Sequence, residues 1–211
     1  EEVIVVEGRA DVLTLMKHGF KKFQQDNFMK NLPFYQKLAR KQFPRVMVIA
    51  CCDSRVDPSI ITQAEPGELF MVRNVANLVP PYEDGETHHG TSAALEYAVH
   101  ALEVEHIVIL GHWGCGGIQA LLDNDPSVSE PHSFIHRWLD LAKPAKKVTE
   151  EQVGNQLPET KRRFCELESI KGSLSNLMTF PWIAERVEAG KLQLHGWYFD
   201  LNEGNMYAYE A

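Results

Sequence analysis

The stretch Val46-Met47-Val48-Ile49-Ala50-Cys51-Cys52-Asp53-Ser54-Arg55 begins as an unbroken apolar run and ends in a polar turn. Such a run is the pattern of a parallel strand covered on both faces. His106-Ile107-Val108-Ile109-Leu110 repeats it and leads into Gly111-His112-Trp113-Gly114-Cys115-Gly116-Gly117. Both turns are then expected at the carboxyl ends of strands in one sheet. If the intervening strand and helix set them side by side, Cys51, His112 and Cys115 meet at a topological switch point, where open α/β sheets bind ligands. Two thiolates and one imidazole suit zinc. Three protein ligands instead of four leave a position for water, as in a catalytic site and unlike a closed structural one.

Outward from these turns, strand and helix alternate. Asp57-Pro58-Ser59 opens a short helical turn, residues 68–73 make a second strand, and Thr91 or Ser92 caps a helix running to Leu102. Gly116-Gly117 begins another helix, and from Asp123 to Gly190 the pattern is helical with breaks at Pro126, Pro131, Pro144 and Pro158. The charged segment 146–163 reads as a solvated helical surface. Residues 192–199 alternate as a strand, which Asn202-Glu203-Gly204-Asn205 turns into 206–209. The expected fold is α/β: a single domain over residues 1–211 with a mostly parallel central sheet of four to five strands flanked by helices. It divides into an N-terminal helical arm (1–45), a zinc-site core (46–125) and a helical region with C-terminal strands (126–211). The arm carries apolar residues at spacings of three and four, among them Met16, Phe20, Phe23, Phe28 and Phe34, and breaks near Asn31-Leu32-Pro33.

Lys and Arg total 21 against 29 Asp and Glu, a net charge of -8, which leaves no basic footprint for nucleic acid or for an anionic membrane. No apolar run reaches membrane-spanning length, and the N-terminus lacks a charged-then-apolar signal segment. The four cysteines, two at ligand spacing and two adjacent, do not form a disulfide framework. A reducing cytoplasm is the expected location, although a removed leader or an organelle is compatible with the same composition.

Cys51-x-Asp53-x-Arg55 followed by His112-x-x-Cys115-Gly116-Gly117, with Glu65-Pro66-Gly67-Glu68-Leu69-Phe70-Met71-Val72-Arg73-Asn74-Val75-Ala76-Asn77 between them, resembles the zinc signature of the β-class carbonic anhydrases, in particular the plant-type members. The resemblance runs in detail from Gln42 to Gly117. It implies one Zn2+ per chain on Cys51, His112 and Cys115, and reversible hydration of carbon dioxide to bicarbonate by zinc-bound hydroxide. Asp53 and Arg55 would be the catalytic dyad, with an Asp53-ligated inactive form as the alternative. Gln42 would be the polar donor to substrate, Phe70, Val75 and Tyr97 the apolar wall, and the Gly116 backbone the floor beside the metal. It also implies a homodimer or higher oligomer, with the N-terminal helices extending onto the dimer partner. Val48 stands where members with an allosteric bicarbonate site carry Trp. Trp113 follows His112 where the family usually has a small residue, so the indole needs housing.

Other chemistries fit less well. A phosphatase loop needs five residues between Cys and Arg, and here there are three. The glycines 111, 114, 116 and 117 match neither G-x-G-x-x-G nor the P-loop. A same-fold hydrolase of carbonyl sulfide or carbon disulfide, or a non-catalytic zinc assembly protein, remains as the alternative. His88-His89 and His132 with His136 read as surface histidines.

Overall fold

The two apolar runs form adjacent parallel strands in a computed structural model that describes residues 10–84, 89–123 and 133–209, and of residues 10–15 only the backbone. The chain divides into two compact units, residues 1–42 and 43–211. In the first, α1 (Ala10–Phe23) continues through a π-helical turn at Gln24–Phe28 to α2 (Leu32–Leu38), which carries Pro33 in its first turn. Tyr35 gathers Phe23, Phe28 and Phe34 around its ring, while Met16 and Phe20 stay exposed.

In the second unit β1 (Val46–Cys51) lies between β2 (Leu69–Asn74) and β3 (His106–His112), parallel to both. β4 (Gln193–Asp200) extends the parallel array beside β3, and β5 (Asn205–Tyr209) closes the edge antiparallel to β4. The order β2-β1-β3-β4-β5 is the five-stranded, mostly parallel sheet expected. Side chains alternate between its faces. Met47, Ile49, Ile107 and Ile109 pack on one side with Leu95, Ile170, Leu177, Phe180 and Ile183. Val48, Ala50, Val108 and Leu110 pack on the other with Trp197 and Phe199.

α3 (Pro58–Thr62) is capped as expected, with the Asp57 carboxylate accepting from the Ser59 and Ile60 N–H groups at 2.9 and 3.3 Å. α4 (Gly90–Glu96) corrects the expected cap: it starts at Gly90, before Thr91 and Ser92, and takes no side-chain cap. Thr91 is buried instead, and its hydroxyl accepts from Asn74 Nδ2 at 3.4 Å. A π-helical turn at Tyr97–Ala101 carries the chain from α4 towards β3.

α5 (Gly116–Asp123) follows the second turn directly, and α6 (Phe134–Leu139) comes next among the described residues. Pro144 and Pro158 open helices and do not merely break one: they sit in the first turns of α7 (Lys143–Val153) and α8 (Pro158–Leu177), where a missing N–H costs nothing. Pro126, Pro131, His88 and His132 lie outside the described residues. The charged segment is not solvated throughout, because α7 buries Ala145 and Thr149. α9 (Pro181–Glu188) then leads into β4.

α8 lies close against the sheet because two neighbouring strands carry glycine beneath it. A Cβ on Gly111 of β3 would stand 2.6 Å from Ile170 Cδ1, and one on Gly196 of β4 would stand 2.9 Å from Ile170 Cγ2.

Candidate active site

The register places the functional turns side by side. Cys51, the last residue of β1, pairs with Asn74, and Ala50 pairs with Leu110, so the carboxyl ends of β1, β2 and β3 are nearly level. His112 ends β3, and Gly114 takes φ +69, a left-handed conformation that suits glycine, to swing Cys115 back to the start of α5. One ligand atom from each of Cys51, His112 and Cys115 falls within 4.8 Å of the others, and all three residues are buried.

This donor set fits a metal ion. A tetrahedral ion with metal–sulfur bonds of about 2.3 Å holds its sulfurs roughly 3.8 Å apart, and the Cys51 and Cys115 sulfurs are 4.0 Å apart. His112 Nδ1 donates to the Trp113 carbonyl at 3.0 Å, which leaves Nε2 as the lone-pair nitrogen. That Nε2 is buried with no hydrogen-bond partner. An orphaned acceptor beside two thiols is costly unless a cation takes it up.

The electrostatics agree. The neighbouring Cys115 thiol, with His112 and the backbone N–H groups of Asp53 and Ala76, outweighs burial and draws the Cys51 thiol down to about 4. Cys51 in turn, together with burial, pushes the Cys115 thiol up. Burial works to lower the His112 pKa, but the Cys51 sulfur and Asp53 raise it overall.

Asp53 stands just outside this cluster, its Oδ2 3.9 Å from His112 Nε2. Arg55 holds it in a fork: Nε donates to Oδ1 at 2.9 Å, Nη2 to Oδ2 at 2.6 Å, and the Arg55 N–H to Oδ1 at 3.0 Å. Arg55 Nη2 also donates to the Gly114 carbonyl at 3.0 Å, tying the first turn to the second. The guanidinium holds the Asp53 carboxyl far below the usual carboxylate range.

Three supports were not legible as such. Arg73 Nε donates to the Cys51 carbonyl at 2.9 Å, and its Nη2 donates to the carbonyls of Asp53 and Val56 at 2.7 and 2.9 Å. Ala76, at φ 63, directs its N–H to the Cys51 sulfur. Glu166 of α8, 2 % exposed, accepts the Cys115 N–H at 2.8 Å on Oε1 and the Tyr198 hydroxyl at 2.7 Å on Oε2. Burial raises the Glu166 pKa, opposed by both donors. A charged residue on the stripe it shares with Ile170 and Ser173 was the one available signal.

The expected substrate residues disperse. Val75 lies at the root of α5, where a Cβ on Gly117 would meet its Cγ1 at 2.8 Å, and Gly116 has open space around its Cα. Phe70 and Tyr97 pair with ring centroids 5.9 Å apart. Phe70, however, is in register with Met47, four residues before Cys51, or roughly 13 Å back along the strand. Gln42 is exposed and belongs to the first unit. Trp113 is half-buried against the core that includes Ile170 and Tyr198. A cavity of about 700 Å³ opens between Cys52, Val75, Thr91 and Trp138, and none of the three ligand residues lines it. Cys165 is fully buried, and burial pushes its thiol up to about 11, so it is inert.

A family model described as carbonic anhydrase matches residues 46–206, spanning both turns, β1 to β4 and the start of β5. The chain belongs to the β-class carbonic anhydrase family. It is 44 % identical over 195 residues to β carbonic anhydrase 5, chloroplastic, of Arabidopsis thaliana, covering 92 % of this chain and 64 % of that protein. It is 42 % identical over 193 residues to β carbonic anhydrase 6, mitochondrial, of the same plant, covering 92 % of this chain and 66 % of that protein. The chain therefore spans just under two thirds of the length of these two relatives. Among solved structures it resembles the β-carbonic anhydrase CcaA at a TM-score of 0.88 and 35 % identity, covering 94 % of this chain and 87 % of that one. It also resembles tetrameric β-carbonic anhydrases from Sordaria macrospora at 0.83 and 28 %, covering 94 % and 96 %.

Proposed function

We propose that the protein is a zinc enzyme that hydrates carbon dioxide reversibly to bicarbonate and a proton. The observation that carries the proposal is the buried meeting of Cys51, His112 and Cys115, with an unpartnered His112 Nε2 and a fork-held Asp53 beside it. When bound, zinc lowers the pKa of water into the range where a nucleophile forms near neutral pH.

The chain does the rest. Asp53, kept ionised by Arg55, accepts a hydrogen bond from the attacking water on Oδ2 and turns its lone pair towards the substrate. Because Arg55 engages both carboxylate oxygens, Asp53 serves as this acceptor and not as a fourth ligand. Val75 and the open space at Gly116 receive a small uncharged substrate beside the cluster. Phe70 and Tyr97, the latter 50 % exposed and well back from Cys51, serve the site of a second copy in a homo-oligomer. The tetrameric relatives from Sordaria macrospora support an oligomer. No helix among the described residues is long and apolar enough to cross a membrane. All four thiols are free, which suits a reducing compartment, and the names of the Arabidopsis relatives favour an organelle over the cytoplasm expected from composition.

Stopped-flow hydration of carbon dioxide, with zinc per chain determined on the same sample, tests the proposal. Activity with about one zinc per chain is expected. Asp53→Ala should keep the metal and lose about 10²-fold or more of kcat. Full activity in that variant would remove Asp53 from the mechanism. Zinc without carbon dioxide hydration would turn attention to carbonyl sulfide and carbon disulfide.

A further inference from the structure

We propose that Glu166, braced by Tyr198, is a positioning residue for the metal ligand Cys115. The inference rests on Cys115 being a metal ligand, as in the function proposed above.

Glu166 is an expensive residue to place where it is. It is 2 % exposed, and among the described residues no Lys, Arg or His lies within ion-pair distance of its carboxylate. An apolar side chain of similar size would fill the same space without the desolvation penalty of a buried carboxyl group. Its two oxygens are instead each given one donor: the Cys115 N–H on Oε1 at 2.8 Å and the Tyr198 hydroxyl on Oε2 at 2.7 Å. Neither donor comes from α8 itself. The carboxylate thus joins three elements, with α8 supplying the acid, β4 the phenol and the turn into α5 the ligand's own backbone.

The geometry favours direction of the thiol over general packing. The Cys115 N–H belongs to the peptide that follows Gly114, whose left-handed φ of +69 makes this link the pivot of the turn. Fixing that N–H holds the peptide plane from which the Cys115 Cα–Cβ bond springs and so restricts the directions open to Sγ. Ile170, one helical turn after Glu166, rests over Gly111 and Gly196, which sets the depth of α8 and hence the reach of the carboxylate. Tyr198 is in register with Gly111, the residue before His112, so the brace stands on β4 one position before Phe199, the register partner of the second ligand.

The test measures zinc affinity by chelator competition and the thiolate-to-metal and d–d absorption of the cobalt(II)-substituted protein. Glu166→Ala should weaken zinc binding about 10- to 100-fold and shift the cobalt bands. Glu166→Gln, which keeps an acceptor for the Cys115 N–H, should recover most of both. Tyr198→Phe should fall between them. A merely structural role would lower the melting temperature of the metal-free protein and leave the cobalt spectrum and zinc affinity unchanged; that result overturns the proposal. If Glu166→Ala does not fold, Tyr198→Phe decides by the same two readouts. Metal affinity does not depend on which substrate is turned over, so inactivity towards carbon dioxide leaves this inference standing. Retention of zinc in Cys115→Ser would instead remove its premise.

Discussion

The two turns that carry the ligands are built on opposite plans. The first, from Cys51 to Asp57, is held by groups close in sequence or on the adjoining strand: Arg55 on Asp53, Arg73 on the carbonyls of Cys51, Asp53 and Val56, and Asn74 accepting the Cys52 N–H through its carbonyl at 2.8 Å. Arg55 is half-exposed to solvent. The second turn, from His112 to Cys115, is held from inside the core by a carboxylate 51 residues further along the chain. A solvated network tolerates loss of one member because water substitutes; a buried one leaves unpaired groups behind. The first turn is thus the adjustable half of the site and the second the rigid half.

Removing the ligands should give the largest effect, and equal losses on the two sides would set the baseline. Cys51→Ser and Cys115→Ser should each lower zinc affinity by far more than tenfold, measured by chelator competition. A difference appears one layer out. Arg73→Ala strips donors from three carbonyls of the first turn and should destabilise the protein by about 2–3 kcal/mol in urea denaturation. Because water reaches that turn, the variant should still bind zinc within about tenfold of the parent. A larger loss would show the first turn to be as unforgiving as the second.

The smallest effect lies at the opposite end of the sheet, where neither turn reaches. His106 Nδ1 and His195 Nε2 are 3.1 Å apart and share one hydrogen between them. Burial, and then the neighbouring His106, lowers the folded-state pKa of His195 from 6.5. A lowered folded pKa means the unfolded chain binds the proton more readily. The stabilising contribution is therefore complete above pH 6.5 and is lost as the pH falls below it. His195→Gln should flatten the fall of melting temperature below pH 6.5 and leave zinc content untouched.

The same contrast explains what could be read from the residues alone. β1 and β3 were legible because unbroken apolar runs have few alternatives, and the ligands because they end those runs. Asp53 and Arg55 were legible because their fork closes over two residues. Glu166 was not, because nothing within a helical turn of it marks its partner, and its meeting with Cys115 depends on how deeply α8 settles. The expected cap at Thr91 or Ser92 failed for a related reason: Asn74, 17 residues earlier, draws Thr91 inward. Phe70 and Tyr97, expected with Val75 as an apolar wall, pair with one another, but the distance of Phe70 from Cys51 depends on register. Register was not readable from the apolar run Leu69 to Val72 that opens β2.

Two absent methyl groups carry a consequence for engineering. Gly111 and Gly196 let α8 sit deep enough for its acid to touch the turn. Anyone grafting Cys-x-Asp-x-Arg and His-x-x-Cys onto another parallel sheet would copy the ligands and miss the spacing. The smallest transplantable unit runs to a bare patch on two strands and a helix resting on it. A host sheet with alanine at either place would present the same ligands with one of them free to swing.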